Sequence, residues 1–270
     1  MVQSAAVRPL TMLWSQRRLI WQLAKRDVAS RYRGQVFGIL WSLFNPLFLL
    51  AVYTFVFSAV FKMRWGPNTD SKTQFAIFVF AGMVVHGFFA ECAGKAPGLI
   101  LANANYVKRV VFPLEVLVWV VVLASLFHAV VSLFVLLAFI LLETGRLPWT
   151  ALFAPLVFLP LVILTAGIAW FLASIGVFLR DVGQTIGLIT TLLLFLSPVF
   201  YPITAVPAEY QPFIYINFLT FIIEQLRAVV VLGKAPDWYG LAVYICVAMV
   251  FAWLGLEWFR RSRRGFADVL

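Results

Sequence analysis

Charge is scarce in this sequence. Only 12% of its 270 residues are Asp, Glu, Lys or Arg, while 63% are hydrophobic. A soluble domain of this length has no core large enough to bury so much apolar surface. Acids are scarcer still, 11 against 21 basic residues. In a soluble chain a formal charge of +10 would point to nucleic acid. Here the basic residues sit in short segments beside apolar runs, where they act as topology signals and contacts to anionic lipid, so no nucleic-acid partner is expected. Two cysteines, Cys92 and Cys246, make neither a disulfide framework nor a metal site, and both read as packing residues. Two histidines, His86 and His128, lie on different apolar runs without ligand spacing, so no metal is expected. Gly94-Lys95 resembles a fragment of a phosphate-binding loop. Phe89 stands where the first glycine belongs and Ala96 where a hydroxyl would hold magnesium, so the chain carries no nucleotide site of that kind. The first thirty residues lack the apolar core and cleavage site of a signal peptide.

What the chain has is long uncharged runs. A basic cluster from Arg26 to Arg33 stops at Gly34, and no charge follows from Val36 to Phe61. As a helix that run is about 39 Å long, against about 30 Å for the hydrocarbon core of a bilayer. Backbone groups in lipid must be satisfied internally, so such runs are helical. The fold class is therefore an all-α polytopic membrane protein in one transmembrane domain, residues 1–270. Six spans are predicted, at about 36–61, 73–91, 112–142, 150–179, 182–200 and 237–259. Residues 10–33 alternate apolar and basic positions at helical spacing, with Trp14 and Trp21 among them, and predict an amphipathic helix lying on the membrane. Four prolines punctuate 202–236, whose apolar piece 210–223 is too short to cross, which predicts one or two short re-entrant or interfacial helices. Six spans place both termini on one side. Counted that way, 15 Lys and Arg fall on the terminal side and six on the other, which predicts cytoplasmic termini and an outward-facing 202–236 region.

The acids near the spans, Glu91, Glu115, Asp181, Glu224 and Glu257, fall at span ends. Ion-coupled carriers place ionisable groups within the bilayer, so the long uncharged spans read as a conduit moved by an external energy source.

Six segments in order are similar to one family, the membrane subunits of type-2 ABC exporters that move polysaccharides such as O-antigen and teichoic acid. They are Arg26-Asp27 with Arg31-Tyr32-Arg33-Gly34 and Gly38-Ile39-Leu40-Trp41; Val107 to Glu115; Arg180-Asp181-Val182-Gly183-Gln184; Ser197-Pro198-Val199-Phe200-Tyr201-Pro202; the spaced Asn217, Thr220, Glu224 and Arg227; and Gly265 to Leu270. Two departures stand out: Phe218 occupies a usual proline position after Asn217, and Leu117-Val118-Trp119 continues where a proline often follows Glu115.

The resemblance implies a homodimer in the bacterial inner membrane, driven by two cytoplasmic ATPase subunits that bind ATP and magnesium, and exporting a lipid-linked glycan. No cofactor is expected in this chain itself, which is a transporter subunit rather than an enzyme. Sugars present C–H faces to aromatic rings, and Trp41, Phe44, Phe48, Tyr53, Phe200 and Tyr201 are expected to line the path. Arg31 and Arg33 are expected at the lipid pyrophosphate or headgroup, because guanidinium matches phosphate oxygens in pairs. Lys95, Asn103, Asn105, Tyr106, Lys108 and Arg109 are expected to dock the ATPase. Asn217, Thr220, Glu224 and Arg227 are expected at an outer gate.

Overall fold

A computed structural model describes residues 14–60, 73–108 and 112–269. The loop at Lys62, Arg64, Asp70 and Lys72, the expected docking residue Arg109, and the first residues of the 10–33 segment lie outside that set. The described chain is built of helices: α1 (Arg17–Tyr32), α2 (Trp41–Tyr53), α3 (Gln74–Lys95), α4 (Leu99–Ala102), α5 (Ala104–Lys108), α6 (Val116–Thr144), α7 (Ala154–Phe178), α8 (Val182–Leu196), α9 (Gln211–Ile216), α10 (Phe218–Val230), α11 (Trp238–Ser262) and α12 (Phe266–Val269). Among the described residues, five helical stretches, Gly38–Phe57, Gln74–Lys95, Val116–Thr144, Trp149–Phe178 and Trp238–Gly265, are long and apolar enough to cross a membrane.

Five of the six predicted runs contain a helix of crossing length. The first run does not continue smoothly from α1: Gly34 (φ +83°) and Gly38 (φ +50°) make a left-handed break that side chains with a Cβ rarely adopt. Pro46 lies inside α2, where it removes one backbone donor, and wider turns follow over Thr54–Val60. The fourth span opens with a short 3-10 turn, Trp149–Phe153, before α7. The fifth run departs most. Its helix has 15 residues, about 22 Å, and ends four residues early. Pro198 disfavours helical geometry at Ser197, whose backbone is extended.

α1 packs against α6 through Ile20, Ala24 and Tyr32, while Trp14 and Trp21 face outward. It is thus fixed to protein on one face and free for lipid on the other. α3 and α7 form the centre, buried around most of their circumference. Cys92 is buried there, whereas Cys246, expected to pack, faces outward from α11. In the 202–236 segment, where one or two short helices were expected, lie α9 and α10. They meet at Asn217, whose side chain accepts the Leu219 N–H at 3.0 Å and donates to Ser197 Oγ at 2.8 Å. Phe218, at the departure from the family pattern, packs edge-on against Phe89 (centroids 4.9 Å) near the end of α3 that carries Lys95. The hairpin therefore dips deep beside α3, and α10 runs back to Thr150, whose hydroxyl donates to the Val229 carbonyl at 2.6 Å.

Both ends of the described chain meet at one end of the bundle. α1 reaches α5 through Arg26, which donates to the Tyr106 hydroxyl at 3.2 Å, and α12 packs against α5 as well.

Candidate functional site

Where α1 ends, a cavity of about 860 Å³ opens between α2, α3 and α6. Its polar side is set by Arg31, Tyr32, Glu91 and His128, from three helices, with Lys95 paired to Glu91 outside the lining. Arg31 Nη1 contacts Glu91 Oε1 at 2.7 Å, and Lys95 Nζ contacts the same oxygen at 2.8 Å. His128 Nδ1 lies 3.0 Å from Glu91 Oε2, and its Nε2 lies 2.9 Å from the Tyr32 hydroxyl. The carboxylate fixes the roles along this chain of contacts. Nδ1–H donates to Glu91, so Nε2 accepts the Tyr32 O–H. Burial raises the Tyr32 phenol above its ordinary range, with Arg31 working against that, so it remains a donor. Arg31 Nη1 also lies 3.1 Å from His128 Nδ1, held there by the shared carboxylate.

Helical geometry explains the convergence. Glu91 and Lys95 are one turn apart on α3. His128 lies near the middle of α6, whose other members from Val116 to Leu142 carry no charge. Arg31 and Tyr32 end α1, just before the Gly34 break. Gln35, Ser42, Asn45, Ser125 and Ser132 add further polar groups to the wall. Val36, Phe37, Leu49, Phe80, Val84 and Phe88 supply an apolar remainder.

The expected site residues fall into separate places. Arg31 belongs to this cluster, while Arg33 is exposed beyond it. Of the expected path aromatics, Trp41 lines the cavity and touches Phe37 and Phe44 (centroids 5.8 and 5.9 Å). Phe48, one turn beyond Phe44 on α2, is 71% exposed. Tyr53 and Phe200 join Phe57 in a second aromatic group (6.2 and 6.1 Å), and Tyr201 donates to the Phe195 carbonyl at 3.1 Å. Trp41 and Phe44 thus share one ring group, and Tyr53 and Phe200 another.

Of the expected docking residues, Lys95 is drawn into the Glu91 cluster. Asn103 closes α4 by donating to the Leu99 carbonyl at 2.9 Å, Asn105 is exposed, and Tyr106 stacks on Phe112 (4.5 Å). Lys108 ends α5. Beside them Glu115 meets Arg263 at 3.3 Å and Arg260 at 3.6 Å, tying the last turns of the chain to the approach of α6. The expected gate residues are built into the hairpin. Thr220 donates to the Ile214 carbonyl at 2.7 Å, and Arg227, 1% exposed, contacts Glu224 and the carbonyls of Phe78 and Val199.

Sequence reasoning missed Glu91, Tyr32 and His128 as one site. The signal was there in His128, a titratable side chain inside a long apolar helix, which by default marks function.

Comparison with known proteins places this arrangement. The chain is 28% identical over 265 residues to the O-antigen export system permease protein RfbA of Myxococcus xanthus, covering 97% of this chain and 99% of that protein. It is 27% identical over 249 residues to a protein of the same name from Klebsiella pneumoniae, covering 92% and 93%. It is 23% identical over 240 residues to the polysialic acid transport protein KpsM of Escherichia coli, covering 87% and 90%. The family model of the ABC-2 type transporter matches residues 18–231, from the start of α1 through α10. With helices of membrane-crossing length and a match across most of its residues, the chain belongs to the ABC-2 type transporter family.

Proposed function

We propose that this chain is the permease subunit of an ATP-driven exporter that carries a lipid-linked, O-antigen-like polysaccharide across the bacterial inner membrane. The observation that carries the reading is the end-to-end likeness to two O-antigen export permeases. The bundle is compatible with it. α2 and α8 leave apolar faces uncovered: Phe44, Phe48, Leu188, Leu192 and Phe195 are exposed, and Thr190 alone is buried on α8. A second copy that covers such faces would enclose a path lined by Trp41, Phe44, Phe48, Tyr53, Phe200 and Tyr201. The 15-to-six distribution of basic residues, with both chain ends at one end of the bundle, supports cytoplasmic termini.

Two ATPase subunits binding ATP and magnesium would dock on α4, α5 and the following loop, with Arg31 and Arg33 toward the lipid pyrophosphate and the hairpin at the outer exit. Tyr106 is the docking residue with the clearest geometry, through its stack on Phe112 and its bond to Arg26. Tyr106→Ala removes both, about 1–2 kcal/mol together. Co-purification with the ATPase is expected to fall several-fold while the permease still inserts. Unchanged co-purification and export would remove this loop from the coupling role.

Deleting the gene and fractionating the cell envelope tests the function. Lipid-linked polymer is expected to accumulate on the cytoplasmic face while surface polymer disappears. Unchanged surface polymer would overturn the polysaccharide reading.

A further inference from the structure

The joint between α5 and α6 is held by two helices remote from it in sequence. The Glu115 side chain is only 9% exposed, and Arg263 Nη1 and Arg260 Nε reach its carboxylate at 3.3 and 3.6 Å. Arg263 Nη2 donates to the Phe112 carbonyl at 3.1 Å, so one guanidinium holds both ends of the stretch 112–115. From α7, the Trp170 indole donates to the Glu115 carbonyl at 3.0 Å. The tail that follows Arg263 is itself fixed. Phe266 is fully buried and meets Phe178 of α7 and Phe259 of α11 (centroids 5.9 and 5.5 Å). Connections between helices ordinarily run over the surface and bend readily. This one is braced, because parting a buried carboxylate from its cations is costly.

We propose that Arg263 is a positioning residue that makes the docking helices and α6 move as one body, so that a push on α4 and α5 reaches the bundle instead of being lost in the joint. On the docking side the Tyr106 ring of α5 stacks on Phe112 at 4.5 Å, and close-packed contacts transmit displacement. On the other side α6 opens directly after Glu115 and carries His128 in the wall of the cavity. A guanidinium suits the place, since its planar fork meets a carboxylate and a carbonyl at once. Arg261 shows the contrast: its side chain is 77% exposed, it pairs with Glu257 one turn back on α11, and it braces nothing. Coupling of this kind rests on the reading of the chain as an ATP-driven exporter permease, and it gives the last turns of the chain a role that reading does not assign.

The test uses the full chain with its ATPase subunit. Variants are expressed in the gene-deletion strain, where the rate at which surface polymer appears reads export. ATP hydrolysis is measured on the purified complex in nanodiscs. For Arg263→Gln, export is expected to fall about tenfold, within the range over which coupled sites influence each other, while hydrolysis per complex stays within about twofold of wild type. Glu115→Gln weakens the same contact from the other side and is expected to show the same split. Arg261→Gln removes an equal charge from the tail without touching the joint, and is expected to match wild type in both readouts. A brace that only holds the fold lowers export and hydrolysis together, through fewer assembled complexes. Such a parallel fall, loss of assembly by both Arg263→Gln and Glu115→Gln, or full export by either once assembled overturns the proposal. If Arg263→Gln alone fails to assemble, Glu115→Gln decides. An equal loss by Arg261→Gln also overturns it, because tail charge rather than the joint is then responsible. Failure of the wild-type gene to restore surface polymer overturns the export reading and the brace with it, whereas normal export by the variants sinks the brace alone.

Discussion

Gly255→Val is expected to detach α11 from the bundle. α11 meets α7 along a stripe at helical spacing, Leu241, Ala248, Ala252, Gly255, Leu256 and Phe259, while most of its other residues face outward. The seam is closed by small residues. A methyl group on Gly255 would lie on the carbonyl oxygen of Gly167, and one on Gly167 would lie 2.7 Å from the backbone of Ala252. Both obstacles are main chain, which cannot rotate aside. In lipid no hydrophobic force holds two helices together, so close backbone approach supplies most of the attraction. Overpacking a seam with flexible neighbours costs about 1–3 kcal/mol; here the helices themselves must part, and the whole contact of α11 is at stake. The expected readout is loss of the monodisperse peak in fluorescence-detected size-exclusion chromatography and degradation in cells. Cys246→Val, on the outward surface of α11, is the matched control and is expected to leave the peak unchanged. A normal peak for Gly255→Val would show that α11 is held by something other than this seam.

The contrast between these two positions shows what a sequence of this kind conveys. Charge-free runs bounded by Arg and Lys reveal helices and their rough ends, because lipid imposes one solution on the backbone. They do not reveal which face meets protein, since a residue facing lipid and one facing a neighbour are equally apolar. Cys246 and Cys92 look alike in sequence, yet one is exposed and the other buried. The same blindness affects the site. Arg31 could be singled out because it stands in a basic cluster at a membrane surface. Glu91 looked like the end of a span, and His128 like a lone packing residue. Only the antiparallel placement of α3 and α6, with α1 laid across α6, brings the two onto Arg31. The aromatic residues posed the same difficulty. Helical spacing puts Trp41, Phe44 and Phe48 along one side of α2, where all three are exposed, while Tyr53 and Phe200 gather with Phe57, a grouping that spacing along the chain does not convey.

Arg227→Ala is expected to unfold the hairpin between α8 and α11, and its pattern of effects separates a structural staple from a gate. The guanidinium is buried, with Nη1 on Glu224 Oε1 at 2.8 Å, Nε on the Phe78 carbonyl at 3.0 Å and Nη2 on the Val199 carbonyl at 2.9 Å. It joins α3, the segment after α8 and α10 at one point. Gly82 makes the room: a Cβ there would stand 3.1 Å from Nη2 and 3.2 Å from Val199 Cα. Removing one member of such a buried group leaves the others unsatisfied, at about 3–5 kcal/mol, a large part of the 5–15 kcal/mol that typically separates folded from unfolded protein. Glu224 is different, because its side chain is 41% exposed and water can replace what it loses. Glu224→Gln keeps an acceptor oxygen for Nη1 and removes only the charge, and is therefore expected to cost less, about 1–3 kcal/mol. Thermal unfolding in detergent should show a large loss for Arg227→Ala and a smaller one for Glu224→Gln, and Arg227→Lys should not restore the former, since one ammonium cannot reach three acceptors spread around a planar fork. A gate built on the ion pair predicts the reverse pattern: both variants would melt like wild type and lose export equally.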